Sequence, residues 1–426
     1  MTKQGLRRDI SLLGAAFLVL NGLIGAGIYA LPATMAERAG LFSPWLFVFV
    51  GLLMIMVVLT FGELSSYFKE TGGPVLYADT AFGPLVGFQT GWLLYLGRMT
   101  ALAANANVLI YYAAFLLPDI GVGAFRYAAI IILCAVLTGL NVIGVKRAIG
   151  ALNILTLLKI LPILILIGLG LSHVSSETLL PSQLPALDQM GGTALLLMYA
   201  FIGFEGAVVT AGETKNPRSA LPKALIFTVL AITGLYFLIQ LTYVSVMPPG
   251  SESGAPLVEM GRILAGHWGG VMIICAAIFS VGGNLNSTMI TAPRMTYAMA
   301  EEGSLPRWFS RIHPRYATPS HSIIFFGLIT CLLALSGSFV WLAIISSLAR
   351  MVAFAVSIVA LPVIKAKADP ESKAHAIRLP GGYIIPFLGL VMCLWAALQS
   401  SQDAWMLLAP MMVAGAGLYW LARKLR

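Results

Sequence analysis

Asn21 to Tyr29 read N-G-L-I-G-A-G-I-Y, which places Gly22, Gly25 and Gly27 in the middle of the first long apolar run. Glycine in a helix interior costs about 1 kcal/mol relative to alanine. A simple membrane anchor gains little from three of them, but together they permit a local break that leaves N–H and C=O groups unpaired. In hydrocarbon such groups must be satisfied by protein, water, an ion or a ligand. Small residues also line close helix crossings, so this stretch alone leaves tight packing and a broken helix as equal readings.

A second interruption favours the break. Met198 to Gly212 read M-Y-A-F-I-G-F-E-G-A-V-V-T-A-G, again apolar, with Gly203, Glu205 and Gly206 at mid-depth. It lies about five spans after the first. Paired interruptions in corresponding halves of a chain point to the central binding site of a secondary transporter built from inverted repeats.

Hydrophobic residues make up 59% of the 426-residue chain and charged residues 10%, more apolar surface than one soluble core hides. The composition predicts an all-α integral membrane protein. Twelve candidate spans of about 20 residues fall near 10–36, 43–67, 85–117, 126–145, 148–171, 191–211, 221–247, 268–300, 321–337, 339–364, 383–400 and 405–422.

Topology, and not nucleic acid, accounts for the net charge of +9. With the N-terminus inside, the cytoplasmic segments collect Lys3, Arg7, Arg8, Lys69, Lys146, Arg147, Lys215, Arg218, Lys223, Arg307, Arg311, Arg315, Lys365, Lys367, Lys373, Arg378, Arg423, Lys424 and Arg426. Only Arg38, Arg126 and Arg262 fall outside, and Arg98, Lys159, Arg294 and Arg350 fall within spans. This bias is the positive-inside rule, and it predicts both termini in the cytoplasm. The first apolar run lacks a small-residue cleavage site and is expected to be a retained helix.

Cys134, Cys275, Cys331 and Cys393 lie in apolar spans without metal-site spacing and are expected to pack in the core. No cofactor is implied. The chain has no G-x-x-x-x-G-K phosphate loop, no H-E-x-x-H and no nucleophile elbow, so nothing in it supports an ATP-driven or hydrolytic enzyme.

Four motifs, in order, carry a family resemblance: G-L-I-G-A-G-I-Y-A-L-P (Gly22 to Pro32), G-E-L-S-S-Y-F-K-E-T-G-G (Gly62 to Gly73), E-T-K-N-P-R-S-A-L-P-K-A (Glu213 to Ala224) and R-M-T-Y-A-M-A-E-E-G-S-L-P (Arg294 to Pro306). Together they resemble the amino acid-polyamine-organocation (APC) superfamily, of the bacterial amino acid permease type. The likeness runs from the first span to at least the tenth. It implies twelve transmembrane helices in the LeuT-like APC fold: a first five-helix repeat (1–171), an inverted five-helix repeat (172–364) and two peripheral helices (365–426), with the first and sixth helices broken.

The resemblance also implies a site, and the physics of a broken helix agrees with it. One half-helix offers N–H groups and positive dipole to a substrate carboxylate, and the other offers carbonyls to an ammonium. In similar permeases these map to Ala26 and Gly27 for the carboxylate and to the carbonyls of Leu23, Tyr199 and Ile202 for the ammonium. Arginine/agmatine exchangers of the superfamily often have serine where this chain has Ala26, so carboxylate binding here rests on backbone N–H groups. Tyr95, Arg98 and Phe201 map to the side-chain pocket, and Gly22, Gly25 and Gly203 to the moving breaks.

Ionisable residues in spans come next, because each is costly at mid-bilayer unless paired or wetted. Lys159 resembles the lysine that replaces a bound sodium ion in sodium-independent members. It is either a proton-coupling group or a fixed ammonium tying the first helix to the fifth and eighth. Glu205 maps to a gate carboxylate. Arg98 is expected to pair with Glu205, the nearest plausible acid; the competing reading has Arg98 facing the substrate and rejecting cations. Arg350 is expected to stabilise the tenth helix against its neighbours, with no sequence argument that it touches substrate. Asn284, Asn286 and Ser287 are expected to bond Lys159 or the first helix, or to hold helices together.

These readings predict a sodium-independent secondary transporter of neutral amino acids in the inner (plasma) membrane, working by proton symport or exchange through alternating access. Its partners are an amino acid, protons and lipid, and it is a monomer or homodimer. An amine or polyamine permease and a non-transporting nutrient receptor on the same fold stand as alternatives.

Overall fold

The computed structural model describes residues 10–68, 72–144, 152–182, 187–248, 250 and 255–424. Lys3, Arg7, Arg8, Lys69, Lys146, Arg147 and Arg426 of the charge argument lie outside these residues. The described chain is helical: α1 (Leu12–Leu23), α2 (Gly27–Ala39), α3 (Ser43–Ser66), α4 (Pro74–Phe82), α5 (Pro84–Ala113), α6 (Gly123–Ile143), α7 (Leu152–Gly170), α8 (Ser176–Leu179), α9 (Leu187–Met198), α10 (Glu205–Val209), α11 (Pro217–Val246), α12 (Pro256–Glu301), α13 (Ser320–Ser336), α14 (Phe339–Lys367), α15 (Pro370–His375), α16 (Ile384–Leu398) and α17 (Gln402–Lys424). An isolated β-bridge joins Ile10 to Thr214, with Lys215 N–H donating to Ile10 O at 2.8 Å. It ties the start of the described chain to the segment after α10 and marks one end of the molecule.

Among the described residues seven stretches are long and apolar enough to cross a membrane, α2 and α3 with their turn counting as one, and five further apolar stretches are shorter. The shortness has local causes. α1 and α9 stop at the two interruptions, and α13 and α16 have 17 and 15 residues, below the roughly 20 that a 30 Å hydrocarbon layer takes. α12 is the opposite case. Its 46 residues would run to ~69 Å if straight, but Ala265 (φ −139°) and Gly266 (φ +62°) break it, so its first segment stands apart from the long run that follows.

α4 occupies what the sequence reads as a loop between the second and third spans. Gly73 (φ +54°) and Gly83 (φ +91°) bracket it. Tyr77 seals it inward against Phe61 and Phe68, with ring centroids 6.3 and 5.1 Å apart.

α5 and α14 are the most enclosed of the long helices. They pack along each other, α12 packs along α5, α11 along α3, and α1 along α11. Outward-facing rows are apolar: Ile324, Leu328 and Leu332 on α13 recur every four residues and are more than half exposed. A row of that kind needs lipid, not water, as its solvent. The cysteines divide between the two environments. Cys134 and Cys393 are buried as expected, whereas Cys275 is exposed on the same kind of outward row and does not pack in the core.

Candidate functional site

The first break spans Ile24 to Ala26. Ile24 N–H still reaches Leu20 O, and Gly25 N–H turns back to Leu23 O at 3.0 Å. α2 then starts at Gly27 with Ala26 as its N-cap and no side chain closing it, so the N–H groups of Gly27 and Ile28 are available, while Tyr29 N–H already reaches Ala26 O at 3.1 Å. Two side chains hold the break from outside. Lys159 Nζ on α7 donates to Ile24 O at 3.3 Å, and Ser280 Oγ on α12 donates to the same carbonyl at 3.5 Å.

The second break follows a 3₁₀ turn, Tyr199–Phe201, and runs through Ile202 to Phe204. Gly203 takes φ +123°, which side-chain-bearing residues rarely adopt. The two breaks touch. A Cβ on Gly22 would sit 2.4 Å from Gly203 O, and one on Gly27 would sit 3.1 Å from Ala200 Cα. Tyr236 on α11 fastens the pair: its Oη lies 2.8 Å from Leu23 O and 3.2 Å from Ala200 O, one donor between a carbonyl of each break.

A cavity of about 500 Å³ starts at the breaks and runs to the Ile10 end of the molecule, where Gly72, Thr210 and Glu302 line it. Its inner wall includes Leu23, Ala26, Gly27, Tyr199 and Ile202, so the structure brings all five residues expected to bind the amino and carboxyl groups to one place. Gly22, Gly25, Gly203, Lys159, Glu205, Arg98 and Ser287 line it as well. At its deep end Tyr199 Oη donates to Asn105 Oδ1 (2.5 Å) and Asn105 Nδ2 to Asn284 Oδ1 (2.9 Å), a chain of polar groups linking the second break to α5 and α12.

Several expectations change. Glu205 does not pair with Arg98. Arg350 Nε on α14 donates to Glu205 Oε1 at 3.1 Å, and Gly203 N–H donates to Glu205 Oε2 at 2.9 Å. Arg350 is further held by Gly97 O (2.8 Å) and Ser346 Oγ (2.5 Å). A residue of α14 thus reaches the acid first, from the far side of the second break. Arg98 instead donates to Thr291 Oγ1 on α12 at 3.0 Å.

Tyr95 is not a wall residue. Leu94, Arg98, Ala101 and Asn105 form the cavity face of α5 at intervals of four and three. Tyr95 is one step off that face and stacks between Trp92 and Phe326. Phe201 likewise turns away to Tyr236, at 5.4 Å, because in a 3₁₀ turn residues three apart, here Tyr199 and Ile202, share the cavity side. Asn286 lies off the Ser280, Asn284, Ser287, Thr291 face of α12 and accepts from Asn141 on α6 at 3.3 Å. Asn284 and Ser287 do not reach Lys159; Ile24 O does.

Asn105, Tyr236 and Ser280 go unassigned in the sequence, and Arg350 reads there as steadying its own helix, without Glu205 as its partner. Arg350 carries a signal there, a charge in an apolar run, but its acid partner Glu205 lies far away in the chain, and Asn105 shares its run with Asn107. Among the described residues no cluster of three His, Cys, Asp or Glu residues has the makings of a metal site.

Two helix interruptions thus meet at one cavity in a helical chain with several spans long and apolar enough to cross a membrane. The profile of the amino acid permease family matches residues 10–416, and the chain belongs to that family, within the APC superfamily. Among relatives from Bacillus subtilis (strain 168) it is 27% identical to the branched-chain amino acid permease BcaP over 93% of this chain and 89% of that one. It is 26% identical to the serine/threonine exchanger SteT over 88% and 87%, and 26% identical to an aspartate-proton symporter over 76% and 66% of the respective chains.

Proposed function

We propose that this permease is a secondary active transporter that moves free amino acids across the plasma membrane by alternating access. The observation that carries the reading is the meeting of the two breaks: unpartnered N–H groups of the α2 start and carbonyls of the second break line one cavity, a matched receptor for carboxylate and ammonium. In this reading the chain crosses the membrane twelve times, as repeats 1–171 and 172–364 in inverted orientation plus peripheral helices 365–426. Both termini are cytoplasmic, which makes the cavity inward-open. The names of the relatives, all carriers and none an enzyme, support transport over catalysis.

Lys159 Nζ on Ile24 O supplies a cation at the first break, where a sodium ion would otherwise neutralise the exposed carbonyl, so the carrier works without sodium. Protons or exchange drive it. Glu205, engaged by Arg350, is not available to a ligand ammonium, which disfavours the amine and polyamine alternative. Arg98 on the wall disfavours cationic side chains, in keeping with the neutral and acidic amino acids in the names of the relatives.

The test is uptake of labelled amino acids and amines into proteoliposomes, without sodium, with and without an inward proton gradient. Gradient-dependent accumulation establishes symport, and uptake that needs internal substrate establishes exchange. In the symport case Lys159→Ala should flatten the response to external pH; a full response in that variant would remove Lys159 from proton coupling. Binding without flux for every compound would favour a receptor.

A further inference from the structure

The charges around the cavity are unequally partnered. Glu205 is fully engaged, with Arg350 on one oxygen and the Gly203 N–H on the other. Arg350 gives its Nη1 donors to Gly97 O and Ser346. Arg98, half-buried on the same wall, has no carboxylate within ion-pair distance among the described residues, and its hydrogen bond goes to a neutral hydroxyl, that of Thr291. Two guanidiniums therefore line the cavity with one carboxylate between them, and that carboxylate belongs to Arg350. Among the described residues the other acid on the wall, Glu302, stands at the mouth.

Arg98 also stands at the right level for a substrate side chain. It lies one turn along α5 from Ala101, whose carbonyl is 3.4 Å from Tyr199 Oη at the second break. An amino acid held by its backbone groups at the breaks extends its side chain down the cavity past this position.

We propose that Arg98 is the specificity-determining residue of the site and that the substrate is an amino acid with an acidic side chain, whose second carboxylate supplies the counter-ion that none of the described residues does. The inference rests on the amino acid reading of the two breaks. In the open cavity water hydrates the guanidinium. Closure removes that water, and a guanidinium left unpaired in a dry interior opposes closure. A side-chain carboxylate meets the guanidinium fork with two charge-assisted hydrogen bonds and removes the obstacle. A leucine side chain leaves Arg98 stranded, and a lysine side chain adds a second cation. Discrimination thus falls on the closing step, where binding energy of the right substrate completes the occluded state.

Purified protein in proteoliposomes loaded with mixed unlabelled amino acids is given labelled L-aspartate, L-glutamate, L-leucine or L-lysine. Aspartate or glutamate should exceed leucine in transport efficiency on the order of 30-fold or more, the size of a lost desolvated charge pair. In Arg98→Met the ratio of acidic to leucine transport should fall to about one, and because it is a ratio it is independent of how much variant folds. Arg98→Lys, which keeps the charge and loses the fork, should fall between. If Arg98→Met yields no folded protein, wild-type competition decides: excess aspartate and glutamate should suppress all other uptake. Neutral amino acid transport that neither acid suppresses would overturn the proposal and leave amino acid transport intact. Transport of an amine in place of every amino acid would overturn the reading beneath it as well.

Discussion

Gly22 and Gly203 pack backbone against backbone across the two helix breaks, each occupying the space into which a side chain on the other would project: a Cβ on Gly203 would lie 2.3 Å from Gly22 O. No rotamer relieves such a clash, because the obstacle is main chain. Gly22→Ala and Gly203→Ala should each lose about 1–3 kcal/mol of stability and nearly all transport, with Gly203→Ala the worse because of its φ of +123°. Gly206→Ala, whose Cβ meets nothing within 4 Å, should retain both. Melting temperature in detergent and initial uptake rate check all three, and a fully active Gly22→Ala would mean that the breaks do not pass each other this closely in the working cycle.

Arg350 and Glu205 form a buried pair, their side chains 6% and 2% exposed. Removing one partner strands the other, at a cost of about 3–5 kcal/mol. Arg350→Met or Glu205→Leu alone should therefore destabilise strongly, and the double variant should recover much of the loss. A thermal-melt double-mutant cycle with additive losses would show that the two do not act as a pair. The same cycle on Arg98 and Glu205 should be close to additive.

Backbone features of this site were legible in the chain, and side-chain partnerships were not. Glycines at Gly22, Gly25 and Gly203 mark where a helix stops regardless of what surrounds it, so the breaks and the residues beside them follow from local chemistry. The partner of Glu205 depends on how α14 is rotated about its axis, and Arg350 lies 145 residues away in the chain. One step of helix turns a side chain by about 100°, which is why Tyr95, placed in the pocket by resemblance, packs behind the wall. Tyr236 reads as another apolar-span aromatic. Only the convergence of Leu23 O and Ala200 O shows its hydroxyl to be a fastener. Long rows such as those of α6 and α13 were legible as spans because lipid imposes one requirement on every exposed position.

Tyr236→Phe tests that fastener. The ring stays packed between Phe47 and Phe201, at 5.8 and 5.4 Å, so the substitution removes a hydroxyl and little else. Two buried carbonyls lose a donor, worth about 1–3 kcal/mol. Stability should drop by that amount, and substrate affinity and turnover should change together, because the contact joins the two breaks directly. An unchanged melting temperature would mean that water or a main-chain donor replaces the hydroxyl.

Glu302, just past the end of α12 at the cavity mouth, gives a pH signature. Partial burial first, and then the negative charge of Asp79, raise its carboxyl above the ordinary glutamate value. A raised acid favours the protonated form in the folded state. The folded protein therefore loses stability relative to the unfolded chain as pH rises from the unfolded pKa through the folded one, and the loss is complete above both. Glu302→Gln should match the wild type in acid and melt slightly higher than it at neutral pH, the gap opening as pH rises through the carboxylate range. The group is largely exposed, so screening keeps the gap small. A gap of the opposite sign, with the wild type melting higher than Glu302→Gln at neutral pH, would mean that the Glu302 carboxylate has a stabilising cationic partner in the working protein.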